Sequence, residues 1–286
     1  MKHEFLRKLL ACLTLSLCLI SLLPEPAAAW GAKGHRIVAQ IAQNHLTPRA
    51  RRRIARILDN ATLASIANRA DALVQGRNPS RPETRKWHFV DIPVVTPPGA
   101  DNTYDSNRDC LPTREGDCVI AEIDRARITL ANPRASKAQL AEALLFIVHM
   151  TGDLHQPLHS AERDGDRGGG AVDVVFFGQA SNLHKVWDSG MIDRAMLQPG
   201  RNTEARYVRM LESGLTSGTI SASDGGSDVD WSNEAHKIAT ANAYGKLPNR
   251  GRAIGQRYFN DNIVVVNQQL LRAGLRLAKI LNDTLD

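Results

Sequence analysis

Cysteine is scarce in this chain. Four occur in 286 residues, and two of them, Cys12 and Cys18, fall in an N-terminal stretch that reads as a leader. With only Cys110 and Cys118 left, a thiolate metal site is excluded. In an exported protein this pair, eight positions apart around the loop DCLPTREGDC, is expected to close a small disulfide; two free thiols are the alternative. Long hydrophobic runs are equally few. Beyond residues 9–23 nothing approaches the roughly 20 apolar residues of a spanning helix, so no membrane span is expected after processing. Internal repeats and linker-like compositions are absent too, which leaves no basis for a second domain. Charge of one sign does not dominate. The net value is +6, and removing Lys2, Arg7, Lys8, Glu4 and Glu25 with the leader takes away one unit and leaves +5. Such an excess permits an anionic partner without establishing one.

What is present begins with that leader. Lys2, Arg7 and Lys8 form a basic start, LLACLTLSLCLISLL is an apolar run, and Ala27-Ala28-Ala29 ends it with a small-x-small pattern. This predicts a cleaved secretory signal peptide over 1–29 and a secreted or periplasmic protein, against the alternative of an uncleaved anchor. Trp30 then becomes the amino terminus of a domain over 30–286, about 257 residues, enough for one sizeable core.

Hydrophobic periodicity makes that domain mostly α, a single helical unit with a short β-hairpin region. HRIVAQIAQNHL places Ile37, Val38, Ile41 and Ala42 at three-four spacing, and Thr47-Pro48 starts a second helix with Ile54, Ile57 and Leu58. The spacing predicts further helices over 119–131, 137–154, 202–217, 231–246 and 254–283. DGDRGGGAVDVVFFG reads as a glycine turn and a short strand, and HFVDIP as a β-like run. Arg49 to Arg53, RARRR, is the densest basic run and reads as a solvated helix face, with a phosphate contact as the alternative.

The histidines and aspartates carry the chemistry. In HMTGDLHQPLH, His149 and Asp153 lie four apart and stack on one helix face, and Pro157 breaks the helix so that His159 can return toward it. NLHKVWD repeats the device with His184 and Asp188. Imidazole and carboxylate together suit a cation such as zinc. One such pair is as well explained by an ion pair, whereas two favour metal binding. His88 lies between Trp87 and Phe89. Asp71 lies in an apolar helical stretch; taken alone it reads as an exposed helix residue, since a bare buried carboxylate is costly. After cleavage, the amine and carbonyl of Trp30 could close a chelate ring on a metal beside His35, although the residues alone favour simple packing for the tryptophan.

The ordered series W-x4-H, D, WHFVDIP, H-x3-D-x2-H-QPLH and NLHxVWD resembles the trinuclear-zinc class I single-strand nucleases of the S-one and P-one type, from Trp30 to Asp188. Zinc-dependent phospholipases C share that fold and most ligands, and are the competing resemblance. The resemblance implies a phospholipase C/nuclease-type fold and three zinc ions, with other divalent metals admissible. It assigns Asp71, His88, His149 and Asp153 to one site. Trp30, His35 and a bridging Asp153 make the second, and His159, His184 and Asp188 the third. Asp71 and Asp153 thereby belong to the catalytic pair. The activity implied is an endonuclease that hydrolyses single-stranded DNA and RNA to 5′-phosphate products, with 3′-nucleotidase activity, acting as a monomer. Phe89 and Asp91 resemble the family's base-recognition pair. Asp188, where the phospholipases tend to use glutamate, favours the nuclease, as do Phe89 and Asp91. Two departures stand out: Val74 occupies a position where the family often has a basic residue, and Gly170 one where it usually has asparagine.

Overall fold

The computed structural model describes residues 30–95, 103–114 and 116–286. The leader expected over 1–29 and part of the loop after Val95 lie outside the described residues. The longer helices are α1 (Ala32–Asn44), α2 (Pro48–Ile57), α3 (Arg69–Val74), α4 (Val119–Ala131), α5 (Lys137–Leu154), α6 (Met191–Met196), α7 (Glu204–Glu212), α8 (Ser217–Ser223), α9 (Asp228–Ile238) and α10 (Gln256–Leu285). The architecture is mostly helical with one small sheet, as the periodicity predicts.

Helix α5 is the spine. Ser136 caps it in a reciprocal capping box with Gln139, and every residue from Phe146 to Leu154 is buried. A helix apolar on all sides must be enclosed, and α1, α4 and α10 all pack against it. Pro157 stops the α-helix and starts a 3-10 turn, Pro157–Ser160. Thr47 caps α2 through its hydroxyl, with Pro48 at the first helical position. Helix α1 lies in a groove of α10, where a Cβ on Gly274 would come within 2.5 Å of Ile41.

Several boundaries differ from the sequence expectation. The expected helix over 202–217 is two: α7 ends at Glu212, Gly214 adopts φ 86°, and Thr216 caps α8. The later helix starts earlier, at Asp228, through a Ser227–Asp230 capping box, and runs into a π turn over Ala239–Tyr244. His88 is not in a β run. It ends a 3-10 helix, Pro82–His88, because Pro82 pre-sets the first turn. The chain after it is extended and pairs with the segment behind His159: Val90 N–H donates to the His159 carbonyl (2.8 Å) and Val94 N–H to that of Glu162 (2.7 Å). The hairpin β1 (Asp173–Phe176) and β2 (Gln179–Asn182) is present, and β3 (Ala253–Ile254) adds a parallel partner to β1. Cys110 and Cys118 are disulfide-bonded ahead of α4, Cα–Cα 5.0 Å. No described helix is long and apolar enough to cross a membrane.

Gly274→Val must force α1 and α10 apart, and overpacking of this kind costs about 1–3 kcal/mol. The variant should show a urea midpoint lowered by that amount with little change in slope; an unchanged midpoint would mean the crossing is loose.

Candidate metal centre

Eight buried side chains from distant parts of the chain converge around the C-terminal end of α5. His149 and Asp153 stack one turn apart as the sequence spacing requires, and both are fully buried. Asp153 is two-sided. Its Oδ2 lies 3.0 Å from His88 Nδ1 and 3.4 Å from His149 Nε2, while its Oδ1 lies 3.2 Å from His35 Nε2. Helix α3 turns Asp71 inward, 7% exposed, with Oδ1 3.5 Å from His149 Nε2 and 3.8 Å from His88 Nδ1. The expectation that Asp71, taken alone, is an exposed helix residue is therefore corrected, because Ala70 and Val74 bury α3 on that side. The rings of His35 and His149 stack at 3.8 Å. His35 fits only because position 152 is glycine, where a Cβ would come 2.8 Å from its Nδ1.

A second group forms around the 3-10 turn and the helical segment that follows β2. His159 and His184 face each other at 3.1 Å between Nε2 atoms, and Asp188 Oδ2 is 3.3 Å from His184. Asp188 sits in a π turn, Val186–Gly190, a local widening of the helix often found at functional sites. Its carbonyl accepts from Gly31 N–H at 2.8 Å, which draws the start of the described chain to this group. Trp30 beside it is fully buried in the core, so the packing role favoured from the residues alone is realised.

The tautomers follow from the surroundings. Nδ1 of His149 faces the Ala67 carbonyl (2.6 Å), that of His159 the His88 carbonyl (2.6 Å), and that of His184 the Gly168 carbonyl (2.8 Å). A carbonyl only accepts, so each Nδ1 carries a proton, and His159 and His184, whose charged forms burial disfavours, turn an Nε2 lone pair inward. Two inward lone pairs 3.1 Å apart, at His159 and His184, repel unless a cation or proton lies between them. Buried polar atoms without a hydrogen-bond partner cluster at the first group: both ring nitrogens of His35, Nε2 of His88 and His149, and Oδ1 of Asp153. Burying such atoms unpaired is expensive. The donor set fits divalent cations, and three His/Asp triplets have convergent ligand atoms: His35, Asp71 and His149; His88, His149 and Asp153; His159, His184 and Asp188.

Electrostatics of the metal-free groups are opposed. Burial works against His149 carrying charge, yet Asp153 and Asp71 lift it to about 9. Asp153 is held well below the ordinary carboxylate range by His149, His35 and His88 despite its burial. In the second group burial wins: His184 drops to about 3, and Asp188 is raised well above its usual value although Gln156 bonds it.

Gln156 is a residue that the motif reading passed over. It is fully buried, donates Nε2–H to Asp188 Oδ1 at 2.5 Å, and accepts from Leu158 N–H. It stood inside the quoted HQPLH, but its role depends on Asp188, which lies 32 positions on. Phe89 and Asp91 flank the buried Val90 in the segment after His88, and both are half-buried. Burial and the Glu162 charge push Asp91 up to about 6, with Lys86 opposing. Val74 is buried, and its carbonyl accepts from Arg85 at 3.2 Å. Gly170 lies in the turn whose Gly168 carbonyl orients His184.

At pH 7 the chain without metal holds a second proton on the His149 ring, at Nε2, and a divalent cation must displace it. Zinc titration of the folded metal-free protein, repeated in buffers of different ionisation heat, should report release of at least about one proton per chain. Release of none would contradict this assignment.

Comparisons with known proteins place the chain in a family. The sequence profile described as S1/P1 Nuclease matches residues 30–286. Endonuclease 2 of Arabidopsis thaliana is 29% identical over 272 residues, covering 88% of this chain and 89% of its own length. Nuclease S1 of Aspergillus oryzae is 28% identical, with 87% and 89% covered. Nuclease P1 of Penicillium citrinum is 29% identical, with 89% and 97% covered. With the profile matched from Trp30 to the last residue and buried histidines and aspartates converging as described, the chain belongs to the S1/P1 nuclease family.

Proposed function

We propose that this nuclease is an exported, zinc-dependent endonuclease that hydrolyses phosphodiester bonds of single-stranded DNA and RNA to 5′-phosphate products, with 3′-nucleotidase activity. The observation that carries the reading is the two-sided Asp153. One oxygen faces His88 and His149 and the other faces His35, the arrangement a carboxylate needs to bridge a close cation pair.

Asp71, His88, His149 and Asp153 would hold one zinc. The amine and carbonyl of Trp30, with His35 and Asp153, would hold a second, and His159, His184 and Asp188 a third. When bound, the close pair supplies Lewis acidity and a water acidified toward neutral pH, and the third ion supplies positive charge for the departing 3′ oxygen. The chain supplies the rest. The carbonyls of Ala67, His88 and Gly168 hold their imidazoles with Nδ1 protonated, so no ring must turn before binding, and His149 gives up only its Nε2 proton. Gln156 fixes one oxygen of Asp188 and leaves the other to face His184. Phe89 offers a ring face to an unpaired base, a sequence-tolerant contact that favours single strands. Asp91, two positions on, would accept from the base edge when ionised. Removal of residues 1–29 frees the Trp30 amine, so processing is a condition for the second site; the leader pattern and the Cys110–Cys118 bond support export. The chain then works as a monomer.

Purified mature protein with zinc should cleave single-stranded DNA and RNA and dephosphorylate a 3′-nucleotide while leaving phosphatidylcholine intact. Lipid hydrolysis without cleavage of nucleic acid would refute the assignment. Asp153→Asn should lower kcat by at least about 10²–10³-fold and reduce the bound zinc measured by elemental analysis. A chain with one additional residue ahead of Trp30 should bind less zinc than the mature chain; equal stoichiometry would remove the amine from the ligand set.

A further inference from the structure

Helix α2 carries five arginines, Arg49, Arg51, Arg52, Arg53 and Arg56, and no acidic residue. The mature domain's net charge is +5, so this one helix accounts for all of it and the remaining domain is balanced. Two of the five have structural employment. Arg51 donates to the Gln43 carbonyl and Arg53 to that of Leu130, the latter tying α2 to the end of α4. The other three, Arg49, Arg52 and Arg56, are exposed, and among the described residues no hydrogen bond or ion pair reaches them. At spacings of three and four they lie within one narrow stripe. The opposite face, Ala50, Ile54 and Ile57, is buried.

Helix energetics do not ask for this arrangement. Arg56 in the last turn suits the helix dipole, but Arg49 in the first turn opposes it, and like charges three and four apart repel. The first turn has no acid to offset them. A local rule broken on a solvent face without compensation points to a ligand of opposite charge. The stripe is remote from the metal centre. Helix α2 packs on α5 and α10, and Lys137 at the start of α5 pairs with Asp59 just beyond α2. His149 is twelve residues further along α5, roughly 18 Å away at 1.5 Å per residue.

We propose that Arg49, Arg52 and Arg56 form an exosite for the phosphate backbone of the nucleic-acid substrate. This rests on the nuclease reading for the identity of the polyanion. Arginine suits the task because its planar fork can bind a phosphate bidentately. A strand must be several nucleotides long to reach both places, so the exosite acts on long substrates and is silent on dinucleotides.

The test uses the mature, zinc-loaded protein and the variant Arg49→Ala/Arg52→Ala/Arg56→Ala. These exposed sites accept alanine without loss of helix propensity, and an unchanged thermal midpoint checks the fold. Binding of a labelled, nuclease-resistant single strand of about 20 nucleotides is followed by anisotropy across a salt series. Three lost phosphate contacts should reduce the slope of log K against log salt by about 2 and weaken binding at low salt by about tenfold or more, while kcat/KM on a dinucleotide stays within about twofold. An unchanged slope and affinity overturn the proposal. So does a variant that keeps its strand affinity but loses binding to phosphatidylglycerol vesicles, which would make the stripe a lipid-facing surface. Because binding is read on an uncleaved strand, failure of the wild type to cleave any nucleic acid would sink the functional reading without altering this result.

Discussion

The arrangement depends on the buried carboxylate of Asp153. A charge with no exposure is tolerated inside a protein only if it is paired and hydrogen-bonded, or given to a cation. Here three imidazoles from three parts of the chain close on its two oxygens. Everything near it follows from that demand. Helix α5 is enclosed so that the carboxylate stays dry, position 152 is glycine so that His35 can approach, and α3 is turned so that Asp71 faces inward. A carboxylate with equivalent but oppositely directed oxygens is the one side chain that can serve both flanks.

The distal group obeys a different economy. Burial lowers His159 and His184 and raises Asp188, so each of the three is pushed toward its neutral form. A cation entering there reverses that balance, whereas the Asp153 side already holds a proton-stabilised ion pair. The two groups are joined through backbone. The carbonyl of His88, whose ring faces Asp153, is the acceptor that orients His159, and Val90 continues the pairing. A shift of the 3-10 turn that carries His88 would therefore be felt at both.

Much of this was legible in the sequence wherever the signal was local. The four-residue spacings of His149 with Asp153 and of His184 with Asp188 gave the facing pairs. The helical periods of α1, α4 and α5 were nearly complete, and the lone cysteine pair gave the disulfide. What was hidden depended on distant partners. Asp71 looked solvent-facing because the helix that buries it lies about seventy positions later. His88 looked like a strand residue because its aromatic neighbours have β preference, while Pro82 and pairing with the segment after His159 decided the outcome. Gln156 carried no signal of its own, and β3, two residues long, had no period to detect. The break after Glu212 was marked only by Gly214, which a helical pattern can absorb.

The crossing of α1 and α10 has a temporal side. Helix α1 brings His35, the first histidine of the centre along the chain, yet the surface that receives it includes Gly274, in the far half of α10. Synthesis runs from one end to the other, so for most of the time the chain is being made the helix that carries His35 has nowhere complete to dock. The centre is therefore among the last features to assemble, and a nascent or truncated chain lacking α10 cannot present it.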